Sequence, residues 1–262
     1  MAVIVLASAT GAPGVTTTAV GMSLLWPRDV LLADCDRDPA QAVQAGFLQG
    51  ADIAGTGLTR VVQAHREGQP VEDVLLSLTV PLAEDPYARR VFLPGFTHPG
   101  SAGLFSGIWP DLAAAMRHLG RTGMDCIVDL GRVGQVGLPP AMVAEADLIC
   151  VCVRSSLRSL AAARLHLPSL NDAIGRQLGH AELGLIVVGE GRPYPAAEIS
   201  GQFGLPVLAG IAWDPASAAV VSEGAARTRR FEASPFARSL RTASAALSSR
   251  VNKAAALIRG ER

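Results

Sequence analysis

Short apolar runs alternate along this chain with longer stretches whose apolar residues recur at helical spacing. This alternation is typical of βαβ units, in which a helix connects two parallel strands. Most of the apolar runs have no polar interruption, as expected of strands that are covered by helices on both faces of a sheet. The sequence therefore predicts an α/β fold with a mostly parallel central sheet flanked by helices on both faces.

The predicted elements follow one another without a linker. No internal repeat or low-complexity segment interrupts residues 1–262, so we predict a single domain. The region 80–108 is rich in Pro, Gly and Phe, and it predicts one strand flanked by surface loops. The predicted strands are 2–7, 29–33, 91–94, 126–129, 148–153, 184–189 and 207–212. The predicted helices are 16–25, 39–46, 58–66, 109–119, 139–145, 156–173, 195–203, 215–225 and 235–258.

The charges of the chain balance overall, with 23 basic and 23 acidic residues. A neutral protein has no overall field that would draw it to nucleic acid or anionic lipid. The distribution is uneven, however, because the residues from Glu223 onward include nine Lys or Arg and three Asp or Glu. A local basic surface is therefore expected near the C-terminus.

The cysteines and the apolar start of the chain both predict a cytoplasmic protein. None of the four cysteines forms a C-x-x-C pair, and each lies in or beside an apolar run, which predicts buried free thiols. The first apolar run has about six residues and no basic residues before it, so we interpret it as a buried strand and not as a signal peptide. No apolar stretch approaches the ~20 residues of a membrane span.

A glycine-rich loop follows the first predicted strand. Residues 8–18 read Ser-Ala-Thr-Gly-Ala-Pro-Gly-Val-Thr-Thr-Thr. Gly11 and Gly14 permit positive φ and close backbone approach, so that amide N–H groups can point at a phosphate at the start of a helix. Thr16 or Thr17 would supply a hydroxyl for Mg²⁺. The alternative is an ordinary strand-to-helix turn.

Carboxylates follow two later strands. Asp34 and Asp36 come directly after the strand 29–33, and Asp129 ends the strand 126–129. The carboxyl ends of parallel strands face the ligand crevice of an α/β fold. Asp129 therefore matches the Walker B arrangement, in which an aspartate supports Mg²⁺. The alternative at each position is an aspartate that caps a turn or a helix.

These segments, in this order, resemble those of the MinD/ParA group of deviant-Walker-A ATPases. The family's Lys-Gly-Gly-Val-Gly-Lys-Thr-Thr aligns with residues 10–17, and its Asp-x-Asp switch is similar to residues 34–36. Residues 125–129 look like the Walker B strand, and residues 209–215 look like the family's Gly-x-Ile-Pro-x-Asp segment near the base. The resemblance covers nearly the whole chain and implies a P-loop NTPase fold.

The resemblance also implies roles for individual residues. Asp36 would position the attacking water, and ATP or ADP with Mg²⁺ would be the cofactor. The implied nucleotide-binding residues are Gly11, Ala12, Gly14, Val15, Thr16, Thr17, Asp214 and Pro215. The implied Mg²⁺ ligands, partly through water, are Thr16, Asp34 and Asp129.

The chain departs from the family at both of its lysines. Val15 stands where the P-loop lysine contacts the β- and γ-phosphates, and Thr10 stands in place of the signature lysine that reaches across a dimer. The chain has one lysine, Lys253. Loss of one positioned charge typically costs ~10²–10³ in rate, so efficient ATP hydrolysis by the usual mechanism is not expected. Arg37 and Arg132 are the nearest substitute cations in sequence, and a solvated or paired surface arginine is the alternative for each.

The last predicted helix, 235–258, is basic and amphipathic. An apolar stripe recurs along it from Phe236 to Ile258, and the basic residues lie largely off that stripe. Such a helix can lie on an anionic membrane, and the resemblance to ParA-like proteins implies contact with DNA without sequence preference as another role for a basic surface. It can also pack on the sheet with its arginines in water, which is the interpretation that the Ala- and Leu-rich stripe favours.

Three functions are consistent with these residues. The resemblance implies a MinD/ParA-like localisation protein, similar to the TadZ/CpaE proteins of pilus and secretion systems, with weak or absent hydrolysis. Such a protein would form a homodimer and recruit a secretion or pilus ATPase or a polar factor, in the cytoplasm or at the inner face of the membrane. The second is an active partitioning ATPase whose missing cation comes in trans, and the third is an adaptor that binds no nucleotide.

Overall fold

A computed structural model describes residues 2–9, 11, 13–98, 100–134, 136–176 and 181–259. Eight strands form one sheet in the order β3-β4-β2-β5-β1-β6-β7-β8. The β3 strand runs antiparallel to β4, and the other neighbours pair in parallel. The strands are β1 (Val3–Ser8), β2 (Val30–Asp34), β3 (Val80–Ala83), β4 (Arg90–Leu93), β5 (Asp125–Arg132), β6 (Leu148–Arg154), β7 (Glu182–Val188) and β8 (Val207–Ile211).

The helices connect these strands. They are α1 (Val15–Leu24), α2 (Gly57–Arg66), α3 (Val71–Val74), α4 (Ser101–Leu104), α5 (Trp109–Thr122), α6 (Pro140–Glu145), α7 (Leu157–Arg176), α8 (Ala196–Phe203), α9 (Pro215–Ser222) and α10 (Pro235–Arg259). A π-helical turn covers Val43–Phe47, and 3₁₀ turns cover Leu75–Leu78 and Phe231–Ala233.

The core has two layers, one on each face of the sheet. Along β1, Val3 and Val5 face the cluster that contains residues of α5, whereas Ile4 and Leu6 face the cluster that contains residues of α1 and α10. Side chains of one strand alternate between the faces, so every residue of β1 is buried on one side or the other. The predicted α/β fold, with helices on both faces of a mostly parallel sheet, is confirmed.

Two predicted elements were wrong. The region 80–108 contains two strands and not one. The missed strand, β3, is a four-residue antiparallel edge strand whose apolar run is interrupted by Pro81. The predicted helix 39–46 is only the π-helical turn at Val43–Phe47. Gln41 has a positive φ of 49°, and a Cβ at Gly46 would lie 2.0 Å from the carbonyl oxygen of Ser222, so this segment is shaped by close backbone packing.

The α10 helix packs against the sheet and against α1. Its stripe from Phe236 to Val251 is buried, whereas Ala254 is exposed. The side chain of Ile258, which the predicted stripe includes, lies outside the described residues. Arg241 pairs with Glu232 and Arg250 pairs with Glu182, both at the surface. The apolar face of this helix is therefore used for folding, as the packing interpretation expects.

No helix in the described ranges is both long and apolar enough to cross a membrane.

All four cysteines are free and buried, as predicted. Burial raises the pKa of the Cys150 thiol to about 12 and shifts the pKa of the other three thiols upward as well. A thiol with a raised pKa and no contact with solvent is a poor nucleophile. These residues serve as small apolar side chains in the core.

Candidate functional site

The predicted site residues meet toward the carboxyl ends of β1, β2 and β5. The prediction that Asp129 ends its strand was wrong, because β5 continues for three more residues to Arg132. The register pairs Leu6 of β1 with Asp129 of β5, and Asp129 with Asp34 of β2. The carboxyl ends of adjacent parallel strands share one edge of the sheet, and a ligand crevice opens there. Residues that are about 95 positions apart in sequence, Asp34 and Asp129, are thereby neighbours.

The loop after β1 leads into α1 through a left-handed glycine. Gly14 has φ 101° and ψ 33° and stands immediately before Val15, the first residue of α1. Gly11 also has a positive φ, of 72°. Among the described residues, no atom lies within 4 Å of a Cβ added at either glycine, so the backbone conformation and not crowding requires glycine there. Thr10 and Ala12 lie outside the described residues.

The N-terminus of α1 is open for an anion. The cap residue, Gly14, has no side chain that could accept from the helix, and the first turn of α1 contains no acidic residue. The first amides of an α-helix have no carbonyl partner within the helix, and the helix dipole adds positive potential at this end. Phosphate groups bind at such termini in other proteins.

Val15, which aligns with the P-loop lysine of the resembling family, is buried. Its side chain is 6% exposed and belongs to the apolar cluster that also contains Ile4 and Leu6. It cannot donate a hydrogen bond or a positive charge. The neighbouring Thr16 and Thr17 are partly exposed at the start of α1.

Asp129 carries a buried carboxylate oxygen without a partner. Its Oδ1 accepts a hydrogen bond from the Gly131 amide at 2.8 Å, whereas its Oδ2 is buried and has no hydrogen-bond partner among the described residues. Burial raises the pKa of Asp129 to about 6, although the nearby Thr16 hydroxyl and the Gly131 N–H lower it. An unsatisfied buried oxygen is costly, and a cation beside it would remove that cost.

Asp34 lies close enough to Asp129 for the two carboxyls to interact. Its Oδ1 accepts a hydrogen bond from the Asp36 amide at 3.2 Å. Burial, and then the negative charge of Asp129, raise the pKa of Asp34 to about 7. The carboxyl group fits over Gly95, where an added Cβ would lie 2.7 Å from the Asp34 carboxyl carbon.

Asp36 reaches the loop that follows β5. Its Oδ1 accepts from the Asp38 amide at 2.9 Å, and its carboxyl lies so close to Gly131 that an added Cβ there would be 2.0 Å away. Partial burial raises the pKa of Asp36, while the positive charges of Arg132 and Arg37 act against that rise. Asp34, Asp36 and Asp129 together are called the carboxylate cluster below.

The residues of this cluster fit a magnesium ion that also binds phosphate and water. They do not form a metal site made of protein side chains alone. No group of three or more His, Cys, Asp or Glu side chains in the described part of the chain is arranged to hold a metal ion. Mg²⁺ is usually held by one or two carboxylates together with phosphate oxygens and waters. Asp129, Asp34 and the Thr16 hydroxyl could provide that share of the ligands.

A pocket of about 220 Å³ extends from the N-terminus of α1 toward the end of β8. Gly14 and Thr17 line it on one side, and Trp213, Asp214 and Pro215 line it on the other. We call it the Trp213 pocket. Asp214 caps α9, because its Oδ1 accepts from the Ser217 amide at 3.2 Å, and Pro215 is the first residue of that helix. The structure therefore brings Asp214 and Pro215 beside the loop.

The arginines near the cluster have different positions. Arg37 donates to the carbonyl oxygen of Val133 at 3.4 Å and also to that of Gly137, so it connects the segment after β2 to the loop after β5. Arg132 is exposed at the end of β5. Arg154, which we did not single out from the sequence, lines the Trp213 pocket. The sequence places Arg154 at a strand end but does not show that this strand pairs with β1, on the side away from β5.

Comparison of the sequence with models of known protein families finds no match, and comparison with the curated proteins finds none.

Solved structures, in contrast, match the fold over almost the whole chain. A ParA family ATPase from Chlorobium tepidum TLS has a TM-score of 0.71 at 15% identity, covering 93% of this chain and 98% of that one. A chain of the MinC:MinD cell division protein complex from Aquifex aeolicus has 0.70 at 14%, covering 95% and 96%. A plasmid partition protein from Borrelia burgdorferi B31 bound to AMPPNP has 0.69 at 12%, covering 95% and 99%. At such identities the likeness shows the fold, which is that of the MinD/ParA P-loop ATPases.

Proposed function

We propose that this chain is a MinD/ParA-like localisation protein that binds nucleotide and hydrolyses it weakly or not at all. Its role would be to position other machinery, such as a pilus or secretion system or a partitioning complex. The observation that carries the proposal is the contrast within the site. The carboxylate cluster and the open helix N-terminus are in place, whereas the lysine position is a buried valine.

The chain's own residues account for nucleotide binding. The Gly14 turn exposes the first amides of α1 to phosphate oxygens, and Thr16, Asp34 and Asp129 would hold Mg²⁺. Mg²⁺ supplies neutralising charge between phosphate oxygens when it is bound. The solved plasmid partition protein with AMPPNP is consistent with nucleotide binding in a chain of this fold.

The same residues account for slow hydrolysis. Within the cluster, Asp36 is the carboxylate that interacts with the positive charges of Arg132 and Arg37. It would hold the attacking water. No lysine stands in the loop, so one positioned charge on the transferred phosphoryl group is absent. Its absence is expected to cost ~10²–10³ in rate.

The partners are part of the proposal. A second copy of this chain, and a secretion or pilus ATPase or a polar factor, are the partners that the resemblance implies. The MinC:MinD complex supports this, since a protein of the same fold assembles there with a different protein. The basic residues of α10 would provide peripheral contact with anionic membrane or DNA.

A nucleotide titration tests the proposal. Purified protein is titrated with a fluorescent ATP analogue and Mg²⁺, and phosphate release is measured on the same sample. We expect binding with little or no release. Absence of binding at millimolar nucleotide would leave the nucleotide-free adaptor, and turnover near one per minute would instead favour an active switch.

The substitution Asp36→Ala tests the role of Asp36 in any turnover that is seen. We expect residual phosphate release to disappear while nucleotide affinity changes little, because Asp36 would act on water and not on the phosphates. The matched control is Asp172→Asn, which changes an exposed carboxylate on α7, away from the cluster. Unchanged turnover in Asp36→Ala would rule Asp36 out as the water-positioning residue.

A further inference from the structure

We propose that Arg154 supplies, within the same chain, a cation that binds the nucleotide phosphates but does not replace the catalytic charge of the missing lysines. The inference rests on the proposed nucleotide binding and adds a residue to it. It differs from a cation provided in trans, because it needs no partner. It also differs from Arg37 and Arg132, which lie on the other side of β1, next to β2 and β5.

The sheet places Arg154 beside the loop after β1. The β6 strand pairs with β1 in parallel, and Ser8 at the end of β1 is opposite Cys152. Arg154 is two residues farther along β6, so its backbone lies level with the start of the glycine-rich loop. The backbone amide of Arg154 donates to the Ser159 hydroxyl at 2.9 Å, which fixes the turn from β6 into α7.

Trp213 holds the guanidinium of Arg154 in the pocket. The guanidinium carbon lies 4.6 Å from the centre of the indole ring, in cation–π geometry. Stacking engages the planar face of a guanidinium, whereas hydrogen bonds leave from its edge, so one arginine can do both. The indole in turn packs on Gly189, where an added Cβ would lie 3.4 Å from the Trp213 Cβ.

The pocket combines this cation with the helix N-terminus. Gly14, Thr17 and Arg154 line the same pocket, and of its described lining residues Arg154 alone carries a positive charge. Asp214 is the acidic residue of the lining, and its carboxylate is engaged as the cap of α9. An anion that enters from the solvent side would therefore meet helix amides from α1 and a forked donor from β6.

The buried Oδ2 of Asp129, which has no hydrogen-bond partner within the described part of the chain, is an independent sign that a charged ligand belongs at this edge of the sheet. The carboxylates on the β2 and β5 side are suited to bind a cation. The first backbone amides of α1 and the guanidinium of Arg154, on the β6 side, are suited to bind an anion. A Mg²⁺–triphosphate has both, so the class of ligand that we infer is a nucleoside triphosphate or diphosphate bound as its magnesium complex.

The variant Arg154→Gln tests the inference, with Arg158→Gln as its control, because Arg158 is also exposed but lies outside the pocket lining. Affinities are measured by calorimetry for Mg-ATP, for inorganic tripolyphosphate with Mg²⁺, and for adenosine. We expect Arg154→Gln to weaken Mg-ATP and tripolyphosphate by about 10- to 100-fold and to leave adenosine unchanged. Arg154→Lys should restore part of the loss, and Arg158→Gln should match the native protein.

Trp213 offers a second readout that does not depend on activity. It is 39% exposed, whereas Trp26 is 0% and Trp109 is 7% exposed, so a neutral quencher such as acrylamide reports mainly on Trp213. Saturating Mg-ATP should protect this fluorescence in the native protein, and the same concentration should protect it less in Arg154→Gln. Trp213→Phe identifies the signal, and circular dichroism checks that each variant is folded.

The outcomes separate the inference from the proposed function. If the native protein binds none of the three ligands, the proposed nucleotide binding fails and the role of Arg154 fails with it. If the native protein binds Mg-ATP and Arg154→Gln binds it equally well, the role of Arg154 alone is wrong. Tighter binding by Arg154→Gln would also overturn the inference, because it would show that the stacked Arg154 and Trp213 side chains block the ligand from the pocket.

Discussion

At the scale of single residues, the negative charges of the carboxylate cluster are energetically unfavourable in the protein alone. Asp34 and Asp129 are neighbours. Burial raises the pKa of both carboxyls, and the negative charge of Asp129 raises the pKa of Asp34 further. Gly95 and Gly131 leave room for the carboxyls of Asp34 and Asp36, since any side chain there would collide with them. A cluster that repels itself is consistent with a site made for a cation.

Replacing Asp34 with Asn is therefore expected to stabilise the protein in the absence of Mg²⁺ and nucleotide. The pKa of Asp34 is about 7 when folded, against 3.8 ordinarily, so the folded protein binds this proton more tightly than the unfolded chain does. Native stability should fall as pH rises from about 4 through 7. Asp34→Asn should be more stable at pH 8, by at most about 4 kcal/mol, and equal near pH 4.

The melting temperature as a function of pH checks this expectation. Asn keeps an oxygen that can accept from the Asp36 amide, so the comparison isolates the charge. The control, Asp172→Asn, changes an exposed carboxylate on α7. If the melting temperature of Asp34→Asn changes with pH in parallel with that of the native protein from pH 4 to 8, the charge of Asp34 does not destabilise the fold.

At the scale of elements, the buried strands could be predicted and the irregular segments could not. The strands β1, β2 and β6 are largely apolar runs, because they are covered on both faces, and their predicted ranges agree with the structure to within one residue. The strand β5 extends from Asp125 to Arg132, beyond the predicted range 126–129, because its ends are polar. The edge strand β3 carries no such signal, since one of its sides faces solvent. For the same reason Asp34 could be placed at a strand end, whereas Asp129 lies inside β5, three residues before its end at Arg132.

The role of Arg154 could not be predicted in the same way. Its strand end was clear, but its position in the site depends on the neighbour of β6 in the sheet and on the distant Trp213. Contacts between segments that are far apart in sequence leave no local pattern of residues. The π-helical turn at Val43–Phe47 was missed for a similar reason, because its conformation depends on packing against Ser222.

The contact between α1 and α10 gives a prediction about elements. A Cβ at Gly21 of α1 would lie 2.5 Å from Cδ1 of Leu240 on α10, so the helices approach too closely for a branched side chain. Gly21→Val should destabilise the protein by about 1–3 kcal/mol through overpacking, which exceeds the small gain in helix propensity. Urea unfolding followed by circular dichroism gives the free energy directly.

Gly201→Val is the matched control for this overpacking. Gly201 lies inside α8, where an added Cβ meets no atom within 4 Å, so the variant should be neutral or slightly stabilised. Equal loss of stability in the two variants would mean that the cost arises from valine in a helix and not from the contact with Leu240.

At the scale of the whole molecule, the C-terminal helix belongs to the core. The α10 helix contributes Phe236, Leu240, Leu247 and Val251 to the cluster that fills one face of the sheet. Loss of a single large buried apolar side chain costs about 2–5 kcal/mol, and a domain has about 5–15 kcal/mol in total. Detaching α10 from the sheet for membrane contact would therefore cost a large part of the stability of the protein.

Truncation after Ser234 should therefore abolish folding, seen as loss of the cooperative unfolding transition and as aggregation. Contact with anionic vesicles or DNA is better tested with Arg238→Gln and Lys253→Gln together, because both side chains are exposed. The control pair, Arg66→Gln and Arg121→Gln, lies on α2 and α5, against the other face of the sheet. A truncated chain that still melts cooperatively would contradict the packing role of α10.

The four sealed thiols have a practical consequence for following assembly. Each cysteine is at most 1% exposed, so a maleimide dye added to the native protein has no cysteine to label in this chain. Replacing Ser249, an exposed residue of α10, with cysteine would give a single labelling position without any prior removal of native thiols. Donor- and acceptor-labelled samples could then be mixed, and energy transfer between them would report pairing of copies as nucleotide is added.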